Sequence, residues 1–209
     1  MDFQVSLAGL APITAAGRLS LDGGAEADSQ KLLQIALTNE VNVSELAALW
    51  MPTTPELDVK LAFARQAGDE ANHFDLVANR LRALGFAIDS YTPPPPNPLF
   101  EYLRGLSGTV ERIAGGLVAL EALAHAVNEN FMAYCEARGD HETVRIYREY
   151  IQPDERRHHE LGVQLLAKYA VTVEQQALAS AAAARVFELA ASTRAKAAAQ
   201  LGAACFPGC

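Results

Sequence analysis

Apolar residues recur every three or four positions along most of the chain, which is the spacing of one face of an α-helix. Alanine, leucine and glutamate are abundant and runs of β-branched residues are scarce, so the pattern favours helices over strands. Five helices are predicted, at about residues 27–50, 55–84, 98–135, 140–169 and 172–203.

A proline-rich segment separates the second predicted helix from the third. The segment GFAIDSYTPPPPNP contains four consecutive prolines, which lack backbone N–H groups and force an extended path. At about 3.1 Å per residue it spans ~40 Å, close to the length of a 28-residue helix. It can therefore run from one end of a helical bundle to the other.

The predicted fold is all-α: two antiparallel helical hairpins joined by one long crossover, plus a fifth C-terminal helix. The 209 residues form one domain, with an irregular N-terminal segment at 1–26, a four-helix bundle at 27–169, and a C-terminal helix and tail at 170–209.

Charge and composition exclude several functions. The formal net charge of −8 offers no basic surface, so we expect no nucleic acid and no membrane as partner. No signal peptide and no apolar run of bilayer length is found, which predicts a cytoplasmic protein. Cys135, Cys205 and Cys209 lack the paired spacing of a disulfide framework or a zinc site, and the last two are expected in an exposed tail.

Two short motifs share one pattern. DEANH places Glu70 three residues before His73, and DERRH places Glu155 three residues before His158, so each pair lies on one helical face. A single such pair is common on solvated helices. Two copies, each preceded by an aspartate and each on the second helix of a hairpin, indicate a common site.

The hairpin geometry selects a partner for each motif. Residues equidistant from a hairpin turn lie at the same height, and the midpoint of positions 40 and 70 is 55, within the PTTP turn. The midpoint of 121 and 155 is 138, within ARGD. Glu40 and Glu121 are therefore predicted to face the motifs, whereas Glu45 and Glu129 would place the midpoints inside the following helices.

Four glutamates and two histidines at one level of a bundle interior require cations. Buried like charges repel one another or stay protonated, and four carboxylates with two neutral imidazoles balance two divalent ions. Mixed oxygen and nitrogen ligation suits iron or manganese better than zinc or calcium. The predicted cofactors are two iron ions, with manganese as the alternative.

This constellation resembles the ferritin-like di-iron carboxylate superfamily, including its bacterioferritin-like, rubrerythrin-like and di-iron oxygenase-like members. By that resemblance Glu70 and Glu155 would bridge the metals, Glu40 with His73 would bind one ion, and Glu121 with His158 the other. Asp69 and Asp154 would hydrogen-bond the far nitrogen of a ligand histidine. His125, one turn after Glu121, could be a further ligand, a hydrogen-bonding neighbour of the ligands or a core histidine.

The resemblance implies an oxidoreductase that activates O₂ to oxidise or oxygenate a small organic substrate, with electrons from an external donor. This function predicts an apolar pocket beside the metals. The alternative is a ferroxidase, an iron-handling or a peroxide-reducing protein, and iron handling predicts a polar entry path. Gly115 and Gly116 before Glu121 could bend the helix, leave a cavity beside the metals or allow tight packing. Such bundles often form homodimers, but nothing in the sequence fixes the stoichiometry.

Overall fold

The computed structural model describes residues 3–22, 29–202 and 204–208. Within the described ranges the α-helices are α1 (Leu10–Asp22), α2 (Ser29–Thr53), α3 (Leu57–Ala83), α4 (Pro98–Arg104), α5 (Thr109–Arg112), α6 (Glu121–Glu136), α7 (His141–Ile146), α8 (Gln152–Tyr169) and α9 (Val173–Leu201). Two π-helical segments, Ile113–Leu120 and Tyr147–Ile151, join α5 to α6 and α7 to α8.

Four long helices form the bundle. Helices α2 and α3 pair as one hairpin; the other pairs the third bundle helix (residues 109–136) with the fourth (residues 141–169). Helix α3 also packs on α8, and α9 covers the π-helical segment of the third bundle helix. The predicted all-α bundle with an additional C-terminal helix is confirmed. The predicted helix positions 27, 28 and 203 lie outside the described residues.

Local sequence explains where several helices begin and end. Gly139 turns the chain between the third and fourth bundle helices with a φ of +74°, a conformation that glycine adopts without strain. Thr172 caps α9: its hydroxyl accepts a hydrogen bond from the Gln175 N–H, and the Gln175 side chain accepts one from the Thr172 N–H.

The crossover is anchored to the first hairpin. A short 3₁₀ turn at Ile88–Ser90 precedes the prolines, and the Tyr91 hydroxyl lies 2.6 Å from the Thr38 hydroxyl of α2. Asn97 then ends the crossover, because its side chain accepts hydrogen bonds from the Leu99 and Phe100 N–H groups and caps α4.

The prediction of one continuous helix over 98–135 was wrong. The chain leaves the helix after Arg104 and re-enters it at Thr109, across the sequence GLSG. Two glycines within four residues raise the entropic cost of a helix there. Arg112 stabilises the break, because its guanidinium donates hydrogen bonds to the Leu106 carbonyl and the Thr54 hydroxyl.

The N-terminal segment at 1–26 is not irregular throughout, because residues 10–22 form α1. This helix packs on α6 and α9 and buries Ile13, and the Asn130 amide donates a hydrogen bond to the Thr14 carbonyl. Short helices are marginal in isolation, so tertiary contacts rather than local sequence stabilise α1.

The expectation of an exposed tail was also wrong where the structure describes it. Cys205 and Phe206 are each 1% exposed, and the Gly208 N–H donates a hydrogen bond to the buried Asn128 side chain at 2.8 Å. The tail therefore packs onto the third bundle helix. Cys209 lies outside the described residues.

The glycines before Glu121 serve close packing. A β-carbon on Gly116 would lie 2.6 Å from the nearest ring carbon of Trp50, and one on Gly115 would lie 3.2 Å from a Leu103 methyl. Trp50 is 1% exposed, so the space beside Gly116 is filled by the indole ring. This favours tight packing over a cavity at these positions.

Gly116→Ala is expected to lower the free energy of unfolding by about 1–3 kcal/mol, because the new methyl group overpacks against Trp50. In the matched change Gly68→Ala on α3, no atom lies within 4 Å of the added carbon. This change should stabilise the protein by about 0.5–1 kcal/mol, because glycine in a helix interior is less favourable than alanine. Urea unfolding of both variants measures the difference. Equal stabilisation by both changes would show that space exists beside Gly116.

Candidate metal centre

The six predicted ligands are all inside the bundle. Each of the four glutamates has 0% exposure and the two histidines have 1% and 3%. The set comprises Glu40 of α2, Glu70 and His73 of α3, Glu121 of α6, and Glu155 and His158 of α8. The four bundle helices thus each contribute at least one carboxylate.

The side chains form two overlapping groups. In the first, one potential ligand atom each of Glu40, Glu70 and His73 lies within 4.8 Å of the others. In the second, the same holds for Glu70, Glu121, Glu155 and His158. Glu70 belongs to both groups, which is the position expected of a bridging carboxylate, whereas Glu155 belongs to the second group. Metal ligation by the six residues remains a prediction.

The hairpin register discriminates between neighbouring glutamates as the sequence predicts. Glu45 is 59% exposed and forms an ion pair with Arg104 at 2.6 Å. Glu129 is also exposed, and its carboxylate accepts a hydrogen bond from Gln152. The buried glutamates at this level are therefore Glu40 and Glu121.

Both histidines present the same ring nitrogen to the carboxylates. His73 Nδ1 lies 3.3 Å from Glu70 Oε2 and 3.4 Å from Glu40 Oε2. His158 Nδ1 lies 3.4 Å from Glu70 Oε1 and 3.6 Å from Glu121 Oε1. The two imidazoles therefore face the shared Glu70 from its two sides, and their Nδ1 atoms are the candidate ligand atoms.

The opposite ring nitrogens contact the two aspartates in a crossed arrangement. His73 Nε2 lies 3.2 Å from Asp154 Oδ2, and His158 Nε2 lies 2.9 Å from Asp69 Oδ2. The aspartate of each motif thus contacts the histidine of the other motif. An acceptor at Nε2 places the proton there and leaves Nδ1 unprotonated in the neutral imidazole, as metal binding requires.

Arg157 links the two aspartates at the surface. Its guanidinium lies 2.9 Å from Asp69 Oδ2 and 2.8 Å from Asp154 Oδ1, and its side chain is 58% exposed. The aspartates are only 25% exposed. A single arginine therefore fixes both carboxylates that orient the two histidines.

Gln66 is a member of the site that the sequence analysis missed. It is 2% exposed, lies one turn before Glu70, and donates a short hydrogen bond to Glu121 Oε1. The spacing from Gln66 to Glu70 is that of one helical face, so the signal was present, but glutamine is too common on helices to be singled out.

Two further histidines lie outside the six-residue cluster. His125 is half-buried and belongs to neither group; burial and the nearby Arg156 lower the pKa of its imidazole. Its role as a hydrogen-bonding neighbour of the ligands remains a prediction. His159 is half-buried, and its Nδ1 lies 2.9 Å from the Val118 carbonyl oxygen in the π-helical segment before Glu121.

Burial and charge shift the ionisation of the cluster. Burial raises the pKa of Glu40 to about 8, and burial with the Glu121 charge raises the pKa of Glu155 well above its ordinary value. For Glu70, burial opposes ionisation, but hydrogen bonds and charges of both histidines outweigh it and lower the pKa. Without metal, protonation of Glu40 and Glu155 therefore reduces the repulsion among the buried carboxylates.

The unpaired atoms of the cluster fit metal ions. Both carboxylate oxygens of Glu40 and of Glu155, one oxygen each of Glu70 and Glu121, and His158 Nδ1 are buried without a hydrogen-bond partner. Leaving a buried acceptor unsatisfied costs about 1–3 kcal/mol, more for charged groups. Hard oxygen and imidazole donors pointing at one another are what iron or manganese binds.

A polar groove reaches the cluster from the surface. It has a volume of about 480 Å³, and its lining includes His73, Asp154, Asp75 and Glu149. Four other cavities in the described part of the chain have no residue of the cluster in their lining, so the apolar pocket expected beside the metals remains a prediction. The described approach to His73 therefore carries acidic side chains.

Comparison with known proteins identifies a family. Residues 30–168 match the family described as Ferritin-like domain, which covers the four bundle helices and all six residues of the cluster. No curated protein and no solved structure matches the chain. None of the described helices is both long and apolar enough to span a membrane.

Asp69→Asn and Asp154→Asn are each expected to weaken divalent metal binding by about 10–100-fold, because each removes the charged acceptor that orients a histidine. Competition between the protein and a chromophoric chelator for Mn²⁺ measures the affinity. Asp89→Asn, on the exposed crossover, is the matched control and should bind as the wild type does. Unchanged affinity in both test variants would contradict an orienting role.

The metal-free protein should lose stability as the pH rises from 5 to 8. Burial raises the pKa of folded Glu40 from 4.5 to about 8, so the folded state binds more protons than the unfolded state in this window. For His158, burial acts against protonation, but the charge of Glu121 and hydrogen bonds outweigh it and raise the pKa to about 11. Above pH 6.5 the folded state therefore retains a proton that the unfolded state loses, and this also lowers stability as the pH rises.

Thermal unfolding of chelator-treated protein across this range tests the sign. The unfolding temperature should fall towards pH 8, and added Mn²⁺ should restore it most at pH 8, because metal ions replace the protons. An unfolding temperature that rises with pH in the absence of metal would contradict the buried-carboxylate account.

Proposed function

The chain belongs to the ferritin-like domain family, and we propose that it is a dinuclear iron oxidoreductase that uses O₂ to oxidise or oxygenate a small organic molecule. The observation that supports this most is the buried set of four carboxylates and two imidazoles with unpaired oxygens. A bundle without metal chemistry has no need for such a cluster.

The charges of the cluster define how many ions it would hold. Four ionised carboxylates and two neutral imidazoles carry four negative charges, which two divalent cations neutralise. Glu40 and His73 would hold one ion and Glu121 and His158 the other. Glu70, present in both groups, would be shared, and Glu155 would complete the set.

A resident cofactor is favoured over transient iron by the ligand set. Both halves of the site contain a histidine whose far nitrogen is fixed by an aspartate, so each half is built to retain its ion. Bound there, two ferrous ions would supply the electrons and the Lewis acidity for O₂ reduction. Manganese remains the alternative metal.

The protein's own residues would control this chemistry by position and access. The carboxylates of Glu40 and Glu155 have no other hydrogen-bond partner in the described structure and are free to change how they bind a metal. Gln66 fixes one oxygen of Glu121. Complete burial excludes bulk water, and electrons for repeated turnover would come from an external donor protein or molecule.

Iron oxidation is the second candidate, and the groove at His73 favours it. Its lining includes the acidic residues Asp75, Glu149 and Asp154, which suit a hydrated divalent cation better than an apolar substrate. Fe²⁺ would then be the substrate that enters through this groove, and ferric iron the product.

Anaerobic titration with Fe²⁺ followed by exposure to O₂ tests the proposed function. We expect two Fe²⁺ bound per chain and consumption of O₂ that depends on them. Glu70→Gln should abolish binding of both ions at stoichiometric concentrations, because the shared carboxylate loses its charge. Glu129→Gln, an exposed glutamate on α6, is the matched control and should behave as the wild type.

The same assay separates the two candidates. An oxidoreductase with resident iron stops after one O₂ consumption per pair of ions unless a reductant is added, and then retains its iron. A ferroxidase oxidises many equivalents of added Fe²⁺ and releases ferric product. Binding of fewer than two ions per chain, with no O₂ consumption, would contradict both.

A further inference from the structure

A second polar feature lies away from the six-residue cluster, on the inner side of α9. Arg194 borders two cavities, one of about 80 Å³ and one of about 140 Å³. The smaller lies among α2, α4, α6, α9 and the tail, and the larger lies between α1 and α9. None of the six cluster residues lines either cavity.

Arg194 has only neutral partners among the described residues. Its guanidinium donates hydrogen bonds to the Phe206 carbonyl at 2.5 Å and to the Pro207 carbonyl at 3.5 Å, and it lies 5.3 Å from the Phe206 ring centre. No described carboxylate forms an ion pair with it. By contrast Arg185, on the same helix, pairs with Glu188 at 2.7 Å.

The environment of Arg194 makes an anionic ligand favourable. Arg194 is half-buried, desolvation lowers the pKa of its guanidinium to about 10, and no described acid compensates for its positive charge. A guanidinium has five N–H donors, and the described contacts use two of its nitrogens. A carboxylate would supply both the missing charge and further acceptors.

The lining of the larger cavity is apolar, so a ligand that fills it must have an apolar part. Apart from Arg194, the described residues that line it are seven non-polar ones, among them Pro12, Ile13 and Ala198. Its volume of about 140 Å³ is close to that of an apolar cavity of roughly 150 Å³ that can hold benzene. The smaller cavity adds the polar side chains of Asn39 and Thr193 on the other side of Arg194.

We propose that Arg194 and the larger cavity form a binding site for a small monocarboxylic acid with a compact apolar body. The carboxylate would bind the Arg194 guanidinium, and the hydrocarbon part would fill the space between α1 and α9. The site is independent of the metal centre, so it does not depend on the function proposed above.

Isothermal titration of the metal-loaded protein with benzoate tests this proposal, with benzamide and inorganic phosphate as comparison probes. We expect one benzoate bound per chain. Benzamide, which lacks the charge, and phosphate, which lacks the apolar body, should each bind at least about tenfold more weakly.

Two variants and two matched controls locate the binding. Arg194→Gln, which keeps an amide donor for the tail carbonyls, and Ala198→Leu, which fills the cavity, should each weaken benzoate binding by about tenfold or more. Arg185→Gln and Ala199→Leu, at exposed positions of the same helix, should bind as the wild type does. Thermal unfolding without ligand confirms that each variant is folded.

The results that would overturn the proposal are distinct. Absence of saturable benzoate binding to the wild type excludes the site. Benzoate binding that persists in a folded Arg194→Gln or Ala198→Leu variant places the ligand elsewhere, for example on the metal ions. Phosphate binding as tight as that of benzoate shows an anion site without an apolar requirement. If Arg194→Gln does not fold, Ala198→Leu alone decides the outcome.

Discussion

The cost of placing four carboxylates in the dry interior of a helical bundle is the constraint on which this structure depends. Isolated buried charges are unfavourable by several kcal/mol each, and mutual repulsion adds to that cost. The metal-free protein meets it with protons, shown by the raised pKa of Glu40 and of Glu155. Two divalent ions bound there, as we propose, would neutralise the same carboxylates without protons, and metal binding would then be coupled to the stability of the bundle.

The surroundings of the cluster are organised to present these groups in one geometry. The crossed contacts from Asp69 to His158 and from Asp154 to His73 join α3 to α8. Arg157 forms ion pairs with both aspartates, so one side chain connects the two halves of the site. Gln66 of α3 also connects two helices, because its side chain donates a hydrogen bond to Glu121 of α6. Much of the contact between the two hairpins at this level is therefore polar and directed at the cluster.

Sequence predicted those parts of the molecule that local spacing determines. Helical periodicity, the proline crossover and the symmetry of the hairpins about their turns were enough to place Glu40 and Glu121 opposite the two motifs. It failed where contacts between distant residues decide the structure: α1 is stabilised by packing, and the tail is held by Asn128. The π-helical segments before Glu121 and Glu155 were not foreseen, because wide helical turns have little sequence signature.

Anomalous X-ray diffraction from crystals grown with Mn²⁺ is the decisive experiment for a metal pair in the bundle interior, since it locates metal ions without relying on activity. The account predicts two strong peaks per chain, one beside Glu40 and His73 and the other beside Glu121 and His158, with Glu70 between them. A single peak, peaks at the surface only, or a cluster without any peak at saturating Mn²⁺ would contradict it.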